Sequence, residues 1–412
     1  MNMVRNDAER IIAQALRASL PDTAVAEALG QIDLSGHARV LLVAIGKAAW
    51  QMARAAVDAL GDRIEQGLVI TKHGHGMGEI PRVRVLEAGH PVPDEDSLSA
   101  TDRALSMVRG LSARDAMLFL VSGGGSALFE KPKVRLEELK EITQQLLRAG
   151  CGIVEINTIR KRLSEVKGGR FALACAPAHV YTVVLSDIIG DPLDMIASGP
   201  AYPDASTRED AERILQRYGI SLSSAARAAL CEDTPKELDN VTTMVTGSVR
   251  NLCRAAAETA CELGYEPHIL TASLDCEARE AGRFLAAIAR DHQHARVSHA
   301  WIAGGETIVH VRGKGKGGRN QELALSAALF LQGCRDTCIF SLGSDGTDGP
   351  TDAAGGIVDE HTASRLRERG IDPLAALEDN DAYPALSAVD GLILTGPTGT
   401  NVNDVSVLLI RR

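Results

Sequence analysis

The sequence predicts an α/β protein made of two open α/β domains with largely parallel sheets. The chain has 412 residues, more than one ordinary domain. Continuous apolar runs of strand length alternate with helical patterns, which is typical of parallel strands covered by helices on both faces. A polar, helical and strand-poor segment at 203–240 separates an earlier β/α series from a later one. Together these observations indicate two successive domains.

The strand and helix patterns recur in order along the chain. RVLLVAIG (39–46) is a predicted buried strand, and apolar residues then recur at helical spacing from Ala49 to Leu60. The other strand patterns of the first series are GLVITKH, AMLFLVSGGG and HVYTVVLSD. Those of the second are TTMVTGS, EPHILTAS, HAWIAGG, TIVHVRG (307–313), TCIFSLGSD and GLILTG, and then residues 405–410. We place the domains at 1–235 and 236–412 and expect an interdomain active-site cleft at the carboxyl ends of the strands.

Composition and charge disfavour several classes of partner. A net charge of −10, from 54 acidic and 44 basic residues, is opposite to that of a typical nucleic-acid-binding domain. No run of 18 apolar residues is present, and the N-terminal segment is not a signal peptide. The eight cysteines form no C-x-x-C pair, so reduced thiols are expected. We expect a cytoplasmic protein with neither a nucleic-acid nor a membrane partner.

Two loops after predicted strands carry residues suited to anion binding. Lys47 follows the first strand at a helix start, where the helix dipole and free amides favour an anion; a solvated surface lysine is the alternative. The second loop follows another strand and offers backbone N–H groups to phosphate oxygens. Its residues are Ser122, Gly123, Gly124, Gly125 and Ser126. A tight turn is the alternative, but it would need only one or two glycines.

The third loop spans residues 313–322 and opens a predicted helix. Its glycines, among them Gly315, Gly317 and Gly318, allow a backbone to approach a ligand, and Arg319 can bind a carboxylate or phosphate at two points. Asn320 and Glu322 follow on the first helical turn as further cofactor-binding candidates. A mobile, solvated hairpin is the alternative.

The same loop matches G-x-G-x-x-G, with glycines at 313, 315 and 318 between a predicted strand and a helix. A dinucleotide-dependent enzyme, with Asp345 as its ribose-binding acid, therefore stays open. The phosphate-binding pattern G-x-x-x-x-G-K-[ST] is absent, so a kinase with this sequence belongs to another fold class.

Acidic residues after three strands fit a magnesium site, because Mg²⁺ takes one or two carboxylates together with phosphate oxygens. They are Asp187, Glu306 and Asp345, and Asp187 is also the candidate acceptor for a hydroxyl proton. Ordinary turns are the alternative for each acid taken alone.

Further polar residues have two interpretations each. Asn157 and Arg160 lie near the start of a predicted helix and are candidate substrate ligands, whereas the basic residues after them, such as Lys167, are assigned in part to a solvated face. Asn401 would close the site or form a turn into the last strand. Ordinary loop histidine is the favoured interpretation of His90, with a metal ligand as the alternative.

Taken together and in order, the motifs resemble the glycerate 2-kinase family, the class II glycerate kinases, whose C-terminal domain is of the MOFRL type. The resembling segments cover most of the chain. They are VAIGKAAWQMA, EAGHPVPDEDS, LVSGGGSAL, NTIRKRLSEVKGGRFA, LSDIIGDPLDMIASGP, AGGETIVHVRGKGKGGRNQELALS, SLGSDGTDGPTDAAGGIVD and TGPTGTNVNDV. An ordered set of this kind is far more specific than any one motif.

The resemblance implies a Rossmann-like N-terminal domain and transfer of a phosphoryl group from ATP, with Mg²⁺, to the 2-hydroxyl of D-glycerate. The resemblance also implies that the essential lysine of the family corresponds to Lys47 and its essential arginine to Arg319. Members have also been called hydroxypyruvate reductases, so an NAD(P)H-dependent reductase is the alternative. Phosphorylation at the 3-position, a catalytically inactive sugar-acid-binding regulator and a homodimer also stay open.

Overall fold

The computed structural model describes residues 3–412, which form two compact α/β units. The N-terminal unit comprises residues 24–186 and 191–246, and the C-terminal unit comprises residues 3–23, 187–190 and 247–412. Each unit contains one six-stranded sheet, which confirms the predicted class of two α/β domains. No helix within residues 3–412 is both long and apolar enough to cross a membrane.

The helices and strands follow one another along the chain in this order: α1 (Met3–Ala18), α2 (Pro21–Leu29), β1 (Arg39–Ile45), α3 (Ala49–Leu60), β2 (Ile64–Lys72), β3 (Val83–Ala88), α4 (Glu95–Met107), β4 (Asp115–Val121), α5 (Gly125–Leu128), α6 (Leu136–Arg148), α7 (Ile153–Arg162), α8 (Arg170–Cys175), β5 (His179–Leu185), α9 (Arg208–Tyr218), α10 (Ser224–Cys231), β6 (Val241–Gly247), α11 (Val249–Glu262), β7 (Glu266–Leu274), α12 (Ala278–Asp291), β8 (His299–Gly305), α13 (Arg319–Ala328), β9 (Thr337–Gly343), β10 (Gly355–Asp359), α14 (Thr362–Glu368), α15 (Pro373–Glu378), α16 (Ala382–Ser387), β11 (Leu392–Ile393) and β12 (Asp404–Ile410).

The sheet of the N-terminal unit has the strand order β3-β2-β1-β4-β5-β6. The pairings of β3 with β2, β2 with β1, β1 with β4, and β4 with β5 are all parallel. Six of the seven residues of β1 and all seven of β4 are buried, as expected for central strands covered on both faces. Because β1 and β4 are neighbours and parallel, the loops that follow them emerge side by side at one sheet edge.

The sheet of the C-terminal unit is mixed, with the strand order β11-β10-β9-β12-β8-β7. Strand β12 runs antiparallel to both β8 and β9, and β10 runs antiparallel to both β9 and β11. Strands β7 and β8 are parallel. Four strands therefore point one way while β10 and β12 are reversed. The carboxyl ends of β8 and β9 consequently meet the amino end of β12 at one edge.

Residues 203–240 contain two helices and no strand, as predicted. These helices, α9 and α10, share a hydrophobic core with α6 and α7. Residues such as Ile156, Ile159, Ile214 and Leu230 are buried in that core. The segment is therefore a packed part of the N-terminal unit.

The boundaries of the units differ from the predicted division after residue 235. That division assigned TTMVTGS to the second domain, whereas β6 is the edge strand of the first sheet. Helix α1 lies in the C-terminal unit, where Tyr265 donates a hydrogen bond to Asp7 (2.7 Å) and Arg411 also pairs with Asp7. An apolar pattern indicates a strand but does not indicate which sheet it joins.

Two predicted strands were wrong in detail, and two strands were missed. Residues 307–312 form no regular strand and make only an isolated bridge, between Ile308 and Glu277. GLILTG contributes only the two residues of β11, and the strands β3 and β10 were missed. The 13 residues between β8 and α13 therefore form a long loop, without the tight strand–turn–helix expected of a dinucleotide-binding fingerprint.

Candidate active site

Lys47 lies between β1 and α3 at the carboxyl edge of the N-terminal sheet. Its backbone N–H donates to the carbonyl oxygen of Gly123 (2.9 Å), and its side chain is exposed. The Ser122 hydroxyl accepts from the N–H of Ala48 (3.1 Å) and donates to the carbonyl oxygen of Ile45 (3.2 Å). Ser122 therefore ties the loop after β1 to the loop after β4. The Lys47 ammonium has no ion-pair partner within residues 3–412.

The loop after β4 presents unpaired backbone donors. Among the described residues, the N–H groups of 123–126 make no hydrogen bond. Gly124 has a φ of 88°, in the left-handed region, and successive N–H groups around such a residue form a concave anion site. A Cβ on Gly124 would lie 3.0 Å from Cδ2 of His90 and 3.3 Å from Cγ of Lys47. The loop thus has the features expected for phosphate oxygens, with a lysine beside it.

A buried charged cluster holds this loop from within the unit. Lys167 is fully buried and donates to the carbonyl oxygens of Ser126 (2.8 Å) and Phe129 (2.9 Å). Burial lowers the pKa of Lys167 to about 8, against the opposing effect of Glu130, whose carboxylate lies 3.5 Å away. Arg160 also donates to the carbonyl oxygen of Ser126 (3.0 Å). Arg160 therefore contacts the loop, and Lys167 belongs to the same support, not to a solvated face.

Asn157 is buried next to the same loop. Its side-chain oxygen accepts from the Ser198 hydroxyl (3.0 Å), which lies 3.1 Å from the Ser126 hydroxyl. Its amide nitrogen contacts the sulfur of Met195 (3.3 Å). Ala197 and Ser198 have φ angles of 51° and 62°, a strained conformation that occurs often at functional sites. The contacts of Asn157 are thus internal ones that fix this segment.

In the C-terminal unit, Arg319 begins α13 at the edge where β8, β9 and β12 meet. Its Nε lies 2.5 Å from Oδ2 of Asp404, its Nη2 lies 2.9 Å from Oδ1, and its Nη1 lies 3.2 Å from Glu306. Burial raises the pKa of Asp404. Burial alone would lower the pKa of Arg319, but the Asp404 carboxylate raises it. The sequence assigned the segment with Asp404 either to the site or to a turn; in the structure Asp404 fixes the orientation of a permanently charged guanidinium.

The glycine-rich loop before Arg319 packs against residues 379–381. The N–H of Gly315 donates to the carbonyl oxygen of Asp379 (2.8 Å), and the N–H groups of Lys314 and Lys316 donate to the carboxylates of Asp379 and Asp381 (3.0 and 2.8 Å). A Cβ on Gly315 would lie 2.6 Å from the Asp379 carbonyl oxygen. Close packing therefore accounts for Gly315, and its N–H is not available to a phosphate.

The amino end of α13 already holds a carboxylate. Asp348 is buried and accepts hydrogen bonds from the N–H groups of Asn320 (3.2 Å) and Gln321 (2.9 Å). Burial raises the pKa of Asp348 to about 6. In a dinucleotide-binding fingerprint this helix end binds the pyrophosphate. The N–H groups of Gly317 and Gly318 make no hydrogen bond within residues 3–412.

The side chains of Asn320 and Glu322 have internal partners. The Asn320 side-chain oxygen accepts from the Ser341 hydroxyl (2.5 Å). Glu322 pairs with Arg279 (2.9 Å) and accepts from the side-chain amide of Asn380 (2.9 Å). Asn320 and Glu322, which were predicted to bind the cofactor, are both buried, and their side chains hold α13 in place. In each case burial satisfies the polar group inside the unit.

Within residues 3–412, the predicted metal ligands are not among the close clusters of three metal-binding side chains. Asp345 follows β9; its Oδ1 accepts from the N–H of Thr347 (2.9 Å), and its Oδ2 has no partner within the described chain. Glu306 is exposed beside Arg319, and Asp187 follows β5 by two residues. Asn401 is exposed before β12. In residues 3–412, the close clusters of three metal-binding side chains are Glu266, His268 and His299, and His73, Asp94 and Asp96.

A cavity of about 660 Å³ lies beside Arg319 in the C-terminal unit. Its wall combines charged groups, including Glu306, Arg319 and Asp348, with apolar ones such as Ile308 and Val311. Mixed walls and this volume are typical of sites for small ligands. The fold and the two loops together define an α/β enzyme that handles small anions.

Two family models match the chain. A domain of unknown function, DUF4147, matches residues 7–231, and the MOFRL family matches residues 299–404. A D-glycerate 2-kinase from Thermotoga maritima is 52% identical over 406 residues, which cover 97% of each chain. The crystal structure of a glycerate kinase from that organism matches with a TM-score of 0.94, over 98% of this chain and 99% of the other. The chain belongs to the glycerate 2-kinase family.

Other relatives carry two kinds of name. A glycerate 2-kinase from Pyrococcus horikoshii is 40% identical over 433 residues, with 99% of this chain and 97% of the other covered. A protein from Agrobacterium vitis with a provisional hydroxypyruvate reductase name is also 40% identical, with 97% and 93% covered. The expected family is thus confirmed, and the relative at 52% identity carries the kinase name.

Proposed function

We propose that the protein is an ATP-dependent kinase that phosphorylates D-glycerate at its 2-hydroxyl, giving 2-phosphoglycerate and ADP. The observation that carries the proposal is the match, over nearly the whole of both chains, to a D-glycerate 2-kinase at 52% identity. The chain also keeps the lysine and arginine that the family resemblance requires, at Lys47 and Arg319.

In this proposal the loop 122–126 binds phosphate oxygens of the nucleotide. The unpaired N–H groups of residues 123–126 are donors already held in place, so they need little reorganisation when the anion binds. Lys167 and Arg160 fix the loop by binding its carbonyl oxygens. The Lys47 ammonium forms no ion pair with an acidic residue in the described chain. It neutralises charge on the transferred phosphoryl group or anchors the substrate carboxylate.

Arg319 supplies the second cation of the proposed mechanism. Its planar guanidinium suits two-point binding of a phosphoryl group or a carboxylate. Two edges of the guanidinium already contact Asp404 and Glu306, so its orientation is set before the substrate arrives. Gly317 and Gly318 add unpaired N–H groups next to it, whereas Gly315, Asn320 and Glu322 support the loop from within.

The candidate magnesium ligands offer only oxygen donors, which are the ligands that this ion prefers. Asp345, with one unpartnered carboxylate oxygen, and Asp187 are the residues we propose to hold it, and Glu306 is the third candidate. When bound, the ion would offset negative charge on the phosphates. Asp187 is also proposed to accept the hydroxyl proton as the new bond to phosphorus forms, and Asn401 to contact the substrate.

The site gives little support to the alternative reductase. A nicotinamide dinucleotide would require the amino end of α13 for its pyrophosphate, and the Asp348 carboxylate occupies that position. The strand predicted to precede the glycines is also missing.

Incubation of the purified protein with D-glycerate, ATP and Mg²⁺ tests the proposal, with ³¹P and ¹H NMR to identify the phosphoglycerate isomer. We expect 2-phosphoglycerate, and replacement of Lys47 by Met should lower the rate by roughly 10²–10³-fold, because one charge contact to the transition state is lost. Lys140, a partly exposed lysine on α6, gives the control Lys140→Met. Formation of 3-phosphoglycerate, or NADH-dependent loss of hydroxypyruvate without phosphoryl transfer, would contradict the proposal.

The proposal includes a cytoplasmic enzyme that acts as a homodimer. Support for the location comes from the eight cysteines, which are all free thiols, five of them buried. Light scattering after size-exclusion chromatography tests the dimer, since the chain mass is 43.7 kDa. A mass near that value would exclude it.

A further inference from the structure

His90 lies against the phosphate-binding loop of the N-terminal unit, after β3. A Cβ built on Gly124 would lie 3.0 Å from its Cδ2 and 3.1 Å from its Nε2. The same Cβ would lie 3.3 Å from Cγ of Lys47. The Cδ2–Nε2 edge of the imidazole therefore borders the residue at the centre of the unpaired N–H groups.

The ring nitrogens of His90 take no part in the internal hydrogen bonds of residues 3–412. Neither ring nitrogen makes a hydrogen bond within the described chain, although the residue is half-buried. By contrast, the ring of His73, which follows the neighbouring strand β2, lies within hydrogen-bond distance of Asp94 (3.0 Å). Neither nitrogen of His90 is among the buried polar atoms that lack a partner, so both are accessible and a ligand can reach them.

The surroundings of His90 are cationic. Burial has the largest effect on its pKa, and the charges of Lys47, Lys72 and His75 also act on it; all of them lower the pKa below its ordinary value. No acidic residue contributes to this balance. At neutral pH the ring is therefore uncharged and donates one N–H. An anion bound here would offset the positive charges.

We propose that His90 is a ligand of an anionic substrate oxygen, to which it donates a hydrogen bond from Nε2 beside Lys47 and the loop 122–126. The inference rests on the proposed phosphoryl transfer and adds a residue to it. It replaces the interpretation of His90 as an ordinary loop histidine. The oxygen belongs to an ATP phosphate or to the glycerate carboxylate, since both present the same chemistry to a donor.

Steady-state kinetics of the full-length His90→Ala and His90→Gln variants test the proposal. Loss of a hydrogen bond to a charged group should lower kcat/KM roughly 10- to 100-fold in His90→Ala. His90→Gln keeps an N–H donor and should retain more activity. A raised KM for ATP identifies a phosphate oxygen, and a raised KM for glycerate identifies the carboxylate. Equal kcat/KM in His90→Ala and the wild type would overturn the proposal.

The control variant is His179→Asn, because His179 begins β5 and so lies at the opposite edge of the same sheet. It should leave kcat/KM unchanged. If the wild type transfers phosphate and His90→Ala is equally active, only the role of His90 fails. If the wild type makes no phosphoglycerate, the proposed function fails first.

NMR of the wild-type protein provides a measurement that does not depend on a folded variant. With histidine labelled at Cε1, the signal missing from His90→Gln assigns His90, and its pKa is followed without ligand, with ATP alone and with glycerate alone. Because an added anion favours the imidazolium, the pKa should rise with one of the two ligands. A pKa that neither ligand changes would contradict the proposal.

Discussion

Replacement of Gly124 by Ala tests the geometry of the phosphate loop most directly. The φ of 88° costs an L-residue about 1–2 kcal/mol, which in a unit of this size lowers Tm by roughly 2–8 °C. The added methyl would also lie 3.0 Å from His90 and 3.3 Å from Lys47, inside the usual carbon–carbon contact distance of about 3.5–4.0 Å. Both side chains must move by several tenths of an ångström. Such a displacement should lower kcat/KM about 10- to 100-fold.

Gly110 provides the matched control for this experiment. Its φ is 78°, and a Cβ there would meet nothing within 4 Å, so Gly110→Ala carries the same backbone strain without the crowding. A coupled assay of ADP release gives kcat/KM for both variants, and differential scanning calorimetry gives Tm. We expect similar losses of Tm and a loss of activity confined to Gly124→Ala. Equal activities would refute the inference that His90 and Lys47 act at this loop.

Three further predictions concern the C-terminal unit. Gly315→Ala should destabilise the C-terminal unit by about 2 kcal/mol, because the added Cβ would lie 2.6 Å from the Asp379 carbonyl oxygen. Gly36→Ala is the control, because a Cβ there would have nothing within 4 Å. Urea unfolding compares the stability of the two variants. Burial raises the pKa of Asp348 from 3.8 to about 6, so the stability it contributes is greatest below pH 4 and is lost as the pH rises through 6, by up to about 3 kcal/mol. Urea unfolding between pH 4 and 7 should show a flatter profile for Asp348→Asn, and an unchanged slope contradicts the shift. Asp404→Asn should lower kcat about 10-fold because Arg319 loses its two-point partner, and steady-state kinetics with an unchanged rate would refute that positioning role.

The glycine-rich loops show how far sequence patterns reach. The loop 122–126 was predicted to bind phosphate through backbone N–H groups, and the glycines of the loop 313–322 were predicted to let a backbone approach a ligand. In the described part of the chain the N–H groups of residues 123–126 make no hydrogen bond, whereas the N–H of Gly315 is bonded to Asp379. Residues 379–381 are far away in the sequence, so local composition contains no information about that contact. Sequence identifies a backbone that can approach something, but not whether the neighbour is a ligand or the protein itself.

Charged residues show the same limit. Lys167 belonged to a basic run that was assigned in part to a solvated face, yet it is fully buried against Ser126 and Phe129. The segment with Asp404 had two open interpretations, site closure or a turn. Asp404 orients Arg319, because the reversed strand β12 brings its first residue to the edge where α13 begins. Burial of a charge depends on a partner, and partners are chosen by the fold.

By itself the sequence determined the α/β class, most strands and the order of the family motifs, and it predicted Lys47 and Arg319 as the principal cations. Continuous apolar runs and residue order are local properties, so they can be recognised from the sequence alone. Only the tertiary structure decided that β6 joins the first sheet, that β12 runs against its neighbours, which N–H groups stay unpaired, and that His90 borders Gly124. These features depend on which distant segments meet, and hydrophobic burial, the force that brings segments together, is not directional.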